Sequence, residues 1–326
     1  MRGGKKYGEG AFGVTLDACQ TKDTMDTDTF CKLPALRKAT RITLYGGAGG
    51  VTKNEKKLER KIDVENFLAH LAGLDEYVVK VFRSRGDIEN SFRVELASIR
   101  QVCQVFTKDQ LKKYTTLASD ALIFARMAYI GISTDNGIYA TFARRCQGDL
   151  MSNALGEVTD ATAKKLVDDI KPALEVMARQ KFSHSDLKPD NIIYCATSKR
   201  FKLIDWGLAR PLTTPANLYT PNEFCCPLGH YISGTPWILA MGRFYVANFT
   251  TFNAWCMSAI FMEVFLYASE HLSTIVEATP STKDLFRKYA HRFDVFTLGL
   301  TAAHFVWRHN LDWGRYRDVC FDLLTI

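Results

Sequence analysis

The sequence predicts an α+β fold of two unequal lobes, the first rich in β-strands and the second mostly helical. Three observations carry this. Short β-branched runs with turn signals between them gather in the first 145 residues, helical apolar spacing takes over from about residue 159, and 326 residues with 47% hydrophobic content suffice for one large domain or two lobes sharing a cleft. The expected division is 1–145 and 146–326, with insertions at 17–76 and 243–293.

The chain opens with a glycine-rich turn, "GEGAFG", flanked by candidate strands. Residues 17–76 are polar, threonine-rich and then lysine-rich, and read as an insertion. Within it "TKNEKKLERKIDVENFLAHLAGL" places Leu58, Ile62, Phe67, Leu68 and Leu71 at helical intervals opposite a charged face. "YVVKVF" is a short strand, and "DIENSFRVELASIRQV" carries Ile88, Phe92 and Ile99 on one helical stripe. Glu95 falls on that stripe. A buried acid is costly unless a cation meets it, and Lys80 on the preceding strand is the expected partner.

"RMAYIGISTDNGIYATF" reads as a hairpin turning at Asp135, Asn136 and Gly137. A helix from Thr159 to Lys181 aligns Ala163, Leu166, Val167, Ile170, Leu174 and Met177, with Pro172 expected to bend or open it. Strand-like pieces follow at 191–194 and 201–204. The apolar run "FNAWCMSAIFMEVFLYA", 252–268, is shorter than the roughly 20 residues of a bilayer span and is expected to be a core helix.

Composition excludes several classes. There are 42 Lys and Arg against 35 Asp and Glu, a mild and dispersed excess that suits a phosphate-bearing ligand and does not indicate nucleic-acid binding. Nine scattered cysteines, and an amino terminus "MRGGKKYGEG" without an apolar secretion core or a glycine at position 2, point to reduced thiols inside a cell, in cytoplasm or nucleus. Cys225, Cys226 and His230 lack the second ligand pair of a zinc site.

The run "HSDLKPDN" packs a histidine, two aspartates, a lysine and an asparagine into eight residues, and "DWG" follows at 205–207. In order, the glycine loop, a lysine in V-V-K-V, a helix glutamate, "HSDLKPDN", "DWG" and "FDVFTLGL" resemble the motifs of the eukaryotic protein-kinase family, serine/threonine branch. The resemblance runs from Tyr7 to the end of the chain. It implies a two-lobed protein-kinase-like fold with a β-rich N-lobe and a shortened, mostly helical C-lobe, and an ATP- and magnesium-dependent transfer of the γ-phosphate to serine or threonine hydroxyls of protein substrates.

The family pattern assigns roles residue by residue. Asp186 matches the catalytic aspartate that orients the substrate hydroxyl and accepts its proton, and Lys188 the lysine that neutralises charge building on the γ-phosphate. Asn191 and Asp205 match the magnesium ligands. Lys80, paired with Glu95, matches the lysine on the α- and β-phosphates, and Gly8, Gly10, Gly13 and Val14 the loop over the nucleotide. Asp149 resembles the acid that contacts ribose, and His184 is expected to scaffold the catalytic loop. Lys32 competes with Lys80 by its distance from the glycine loop, but Pro34 follows it closely and no inward-facing glutamate follows it at a sensible distance.

Several departures stand out. Val14 follows Gly13 directly, leaving Thr15 where the family usually has the valine that covers adenine, and Trp206 replaces the phenylalanine of D-F-G. Met241 and Gly242 occupy the place of the proline and glutamate of A-P-E. Ser185 stands where relatives carry an arginine that grips a phosphate on the activation segment, which is similar to kinases of large DNA viruses. The expected partners are ATP and protein substrates, with docking through the basic stretch 52–61 and no membrane span. The alternatives are a pseudokinase or scaffolding module, and a small-molecule kinase of the same fold; the lysine, catalytic aspartate and metal aspartate that a pseudokinase usually loses are all present.

Overall fold

The computed structural model describes residues 8–10, 13–18, 29–46, 59–71, 77–83, 87–117, 123–124, 127–146, 157–212, 249–279 and 281–325. They fall into two compact units, Met1–Cys146 and Gln147–Ile326.

The first unit is an antiparallel eight-stranded sheet. Its strands are β1 (Gly8–Gly10), β2 (Gly13–Asp17), β3 (Arg41–Gly46), β4 (Glu59–Asp63), β5 (Tyr77–Phe82), β6 (Ile123–Phe124), β7 (Met127–Thr134) and β8 (Tyr139–Arg144). They lie in the order β1-β2-β5-β8-β7-β3-β4, with β6 on β7. The β7–β8 turn uses Gly137 at φ +87, a left-handed conformation that glycine adopts without steric cost.

Strand alternation gives this sheet two apolar faces. On one, α3 (Ile88–Val105) packs Phe92 edge-on against Tyr45 and Phe82, with centroids 5.4 and 5.6 Å apart, and against Tyr139 at 5.3 Å. The opposite face presents Val14, Leu16, Ile42, Leu44, Val79, Val81, Ile132, Ala140 and Phe142. Phe30, Leu36 of α1 (Pro34–Lys38), and Phe67 and Leu71 of α2 (Val64–Leu71) cover it. Segment 17–76 therefore supplies two strands to the sheet and a layer over its far face.

The helix expected along 52–74 is corrected. Residues 59–63 are β4, paired with β3 from Arg41↔Asp63 to Tyr45↔Glu59, and the helix begins only at Val64. Asp63 stops the strand and starts the helix, its Oδ1 accepting the Asn66 amide at 2.8 Å. The charged side chains of β4 suit a sheet edge, where they discourage pairing with another chain.

The second unit is mainly helical. Its α5 (Asp160–Arg179) continues through Pro172 and anchors on the hairpin β10 (Ile192–Cys195) and β11 (Arg200–Leu203) through the buried Asp169, which accepts from Arg200 at 2.8 Å and from the Phe201 amide at 3.0 Å. A shorter pair joins β9 (Phe182–Ser183) to β12 (Arg210–Pro211). The apolar run 252–268 is not one core helix. It is divided between α6 (Phe249–Cys256) and α7 (Ala259–Glu277), because Ser258 caps the second helix by accepting the Phe261 amide.

Only one stripe of α7 is buried, Phe261, Val264, Ala268 and Leu272, while Met262 and Leu266 are exposed. By length and composition alone α7 passes as a membrane span, as core helices of soluble proteins also do. After α8 (Thr282–Tyr289) come α9 (Phe293–Arg308), buried almost throughout, and α10 (Trp313–Leu324). Trp255 of α6 packs on His304 and Trp307 of α9, and Tyr267 of α7 stacks on Phe321 of α10 at 4.0 Å. Segment 243–293 thus shares the core of this unit. Gly299 lets α10 approach α9, since a Cβ there would lie 3.0 Å from Leu324 Cγ.

The expectation of reduced thiols throughout is also corrected: Cys31, Cys146 and Cys195 are disulfide-bonded. Cys103, Cys256 and Cys320 are free, and burial pushes their thiols up to about 12, 11 and 12, which keeps them protonated at neutral pH. Cys225, Cys226 and His230 lie outside the described residues.

Burial, then the neighbouring Arg308 and His309, lowers His304 to about 3. The unfolded chain, with an ordinary histidine near 6.5, binds this proton first, so the folded state loses stability as pH falls below about 6.5. We predict that unfolding free energies from urea titrations between pH 7 and pH 5 decline by up to about 1.4 kcal/mol per pH unit through this group, and that His304→Phe flattens the slope.

Candidate active site

Lys80 and Glu95 meet in the first unit. Lys80 lies on β5, Glu95 on the third turn of α3, and Nζ stands 2.6 Å from Oε2 with the Glu95 side chain 8% exposed. The α3 stripe that buries Phe92, Leu96 and Ile99 on the sheet carries Glu95 with it, and the α3 start is fixed by Asp87, whose carboxylate accepts the Asn90 amide. Lys32 ends a 3-10 turn, Phe30–Lys32, in the layer covering the opposite face of the sheet. The pairing expected from the sequence therefore holds for Lys80.

Among the glycine-loop residues, β1 and β2 pair with Gly10 opposite Gly13. Val14 is corrected: it is 1% exposed within the apolar core, opposite Val81, while Thr15 lies opposite Lys80 and shares its face. The register puts successive residues on opposite faces, so the residue beside Gly13 belongs to the core and the next one to the lysine side. Asp149, Met241 and Gly242 lie outside the described residues.

The second unit gathers the groups of "HSDLKPDN". Lys188 Nζ donates to Asp186 Oδ1 and Oδ2 at 3.1 and 2.9 Å, and Asn191 Nδ2 donates to the Asp186 carbonyl at 2.7 Å and to its Oδ2 at 2.9 Å. Burial alone would lower Lys188, but the carboxylates of Asp186, Asp205 and Asp190 outweigh it and the lysine is raised, hence firmly cationic. His184 is fully buried, with Nε2 2.9 Å from the Ile204 carbonyl and its ring 4.7 Å from that of Trp206. That contact ties the loop to the start of "DWG". Trp206, 2% exposed, fills an apolar site as the phenylalanine of D-F-G would.

A second carboxylate holds this loop from below. Asp294, near the start of α9, accepts Ser183 Oγ at 2.9 Å and the His184 amide at 2.7 Å through Oδ2, and the Ser185 amide at 3.2 Å through Oδ1. Burial pushes its carboxyl up, opposed by His184 and by the donors at 183–185. Ser185 adopts φ +63 and Asp205 φ +59, left-handed conformations that side chains other than glycine tolerate only when their surroundings enforce them. At Ser185 the enforcing bonds are its amide to Asp294 and to Ser183 Oγ, and its own hydroxyl to Ser183 Oγ at 3.0 Å.

Sequence reasoning missed two of these groups. Ser183 precedes the motif and reads as an ordinary strand residue. Thr141, whose Oγ1 lies 3.2 Å from Glu95 Oε1, reads as a β-former in a hairpin. The only available signal for Thr141 was its place on the strand beside that of Lys80.

A sheet-based unit with a lysine–glutamate pair, followed by a helical unit with an aspartate–lysine–asparagine loop, defines the protein-kinase class of fold. Residues 127–264 match the family model described as protein kinase domain. The chain is 26% identical over 179 residues, 50% of its length and 12% of the relative's, to serine/threonine-protein kinase ppk18 of Schizosaccharomyces pombe. Over 65 residues, 20% of this chain and 21% of the other, it is 37% identical to cell division control protein 2 homolog 3 of Trypanosoma brucei brucei. Among solved structures, the Cydia pomonella granulovirus kinase PK-1 aligns over 71% of this chain and 83% of its own at 16% identity and a TM-score of 0.32. The chain spans between about an eighth and a fifth of the length of those two curated relatives. The fold is of the protein-kinase type, and residues 127–264 carry its likeness to the protein kinase domain.

Lys80→Met should lower phosphate transfer at least about a hundredfold and Lys32→Met should leave it nearly unchanged, as measured by initial rates at saturating protein substrate. The reverse result would move the phosphate lysine to the 3-10 turn.

Proposed function

We propose that this chain is an ATP- and magnesium-dependent protein kinase that transfers the γ-phosphate to serine or threonine hydroxyls. The observation that supports it most is the Asp186 carboxylate held by both Lys188 and Asn191. Lys188 and Asn191 hold the Asp186 carboxylate in place, so that it can orient a hydroxyl and accept its proton as the oxygen attacks phosphorus. The same ammonium lies ready for the negative charge that grows on the transferred group.

The residues fit magnesium by donor chemistry. Both Asn191 bonds to Asp186 run through Nδ2, which leaves Oδ1 as an oxygen ligand, and Asp205 supplies a carboxylate. Bound there, the cation would neutralise the phosphate oxygens of ATP. Lys80, oriented by Glu95, serves the α- and β-phosphates in this reading, with Gly8, Gly10 and Gly13 forming the turn over the nucleotide.

We predict that Asp205→Ala and Asp186→Asn each abolish incorporation of labelled phosphate from ATP into serine or threonine of a generic protein panel, with melting temperatures close to wild type. Full activity in either folded variant would refute the assignment, and a wild-type protein that binds ATP without transfer would make the chain a pseudokinase.

Ser185 bears on regulation. Its hydroxyl is buried against Ser183, and it offers no charge to a phosphate on Thr213, Thr214 or Thr220, which lie outside the described residues. Protein stripped by a broad phosphatase should keep most of its turnover, and alanine at all three threonines should change the rate less than about tenfold, or about 1.4 kcal/mol in barrier. Silencing by the phosphatase, reversed by rephosphorylating one of those threonines, would show that another cation has taken the arginine's role.

A further inference from the structure

A glutamate that orients a lysine must itself be oriented, and the ion pair alone fixes only one end of the carboxylate. Lys80 meets Glu95 Oε2 at 2.6 Å, and Oε1 accepts Thr141 Oγ1 at 3.2 Å, with Thr141 5% and Glu95 6% exposed. The strand register explains why the threonine is there. Lys80 of β5 and Thr141 of β8 are directly opposed, so their side chains leave the sheet on the same side and reach the two oxygens of one carboxylate.

The row continues. Thr15 lies opposite Lys80, Gly131 of β7 opposite Thr141, and Tyr45 of β3 opposite Gly131. Gly131 is the close-approach point of α3: a Cβ there would stand 3.2 Å from Phe92 Cε2 and 3.3 Å from Leu96 Cδ1, the residues one turn before and one place after Glu95. Tyr45 then receives the Phe92 ring. The glycine thus lets the helix come down beside Thr141, and the threonine hydroxyl finds the carboxylate that the helix delivers.

We propose that Thr141 is a positioning residue for the phosphate lysine, its hydroxyl holding Glu95 so that Oε2 faces Lys80. This rests on the kinase reading for its consequence, but the positioning itself needs no nucleotide. Valine would occupy nearly the same space without the donor, and serine keeps the donor without the methyl group. The pair separates a hydrogen-bonding role from simple packing.

The test uses the full chain and two measurements on wild type, Thr141→Val and Thr141→Ser. The first is the rate at which the Lys80 amine is acylated by N-hydroxysuccinimidyl acetate without nucleotide, read by peptide mass spectrometry; the Lys80 side chain is 23% exposed and open to the reagent. With its partner loosened, Lys80 should be acylated at least about threefold faster in Thr141→Val and at the wild-type rate in Thr141→Ser. The second is steady-state kinetics with MgATP, where Thr141→Val should raise KM for ATP about fivefold with kcat within about twofold, and Thr141→Ser should restore both. Thr141→Ala carries the same expectation should the valine variant fail to fold. Equal Lys80 acylation in folded wild-type, serine and donor-free proteins overturns the proposal. Absence of phosphate transfer in the wild type, with the acylation difference intact, overturns the kinase reading and leaves the positioning role standing.

Discussion

A carboxylate taken out of water must be met by donors, and Asp294 illustrates how much structure such a demand organises. Its two oxygens collect a hydroxyl and two amides from three consecutive residues, Ser183 to Ser185. Satisfying them forces the chain through a left-handed turn at Ser185, and that turn sets the direction in which Asp186 leaves the backbone. The residues that follow inherit the geometry: Lys188 and Asn191 close on Asp186, and His184 fastens the Ile204 carbonyl next to Asp205. Asp294 is held on α9, which is buried along nearly its whole length. The loop is built downward from chemistry to core, its backbone amides at 184 and 185 and the Ser183 hydroxyl met by the layer beneath.

The sheet of the first unit shows a different economy, in which one register serves two purposes. Even-numbered residues of β5 and odd-numbered residues of β8 face α3 and include Lys80 and Thr141, while the alternate residues face the covering layer of Phe30, Leu36, Phe67 and Leu71. A slip of one residue would exchange the functional row for the core row. The two apolar layers on either side make such a slip costly, so the packing that stabilises the sheet also fixes the lysine's direction.

Much of this was legible in the sequence, for definite reasons. Glu95 on an apolar helical stripe demanded a cation, and Lys80 was the nearest strand residue able to answer. Asp186, Lys188, Asn191 and Asp205 were legible because acid, base and amide groups at such spacing have little use in packing. Other features left weaker marks. The strand β4 has the composition of a solvated helix and is a strand only because β3 offers it an edge. The break between α6 and α7 turns on one serine within an apolar run. Val14 was misassigned because alternation, not proximity to the glycines, decides which face a strand residue joins. Ser183 had no signature and Thr141 only its place on the strand beside that of Lys80, since a hydroxyl becomes informative only when its acceptor is known.

The layer contributed by 17–76 has a bearing on how this domain can vary. Where a sheet's far face is open to solvent, surface insertions come and go with little penalty. Here Val79, Val81, Ile132 and Phe142 are apolar on the side that the segment covers. Trimming the segment to obtain a smaller domain would strip β3 and β4 from the sheet and leave a bare hydrophobic wall beside the newly exposed edge of β7, a combination that favours association between molecules. A segment whose side chains are shared with the core in this way cannot be removed without rebuilding the face it covers.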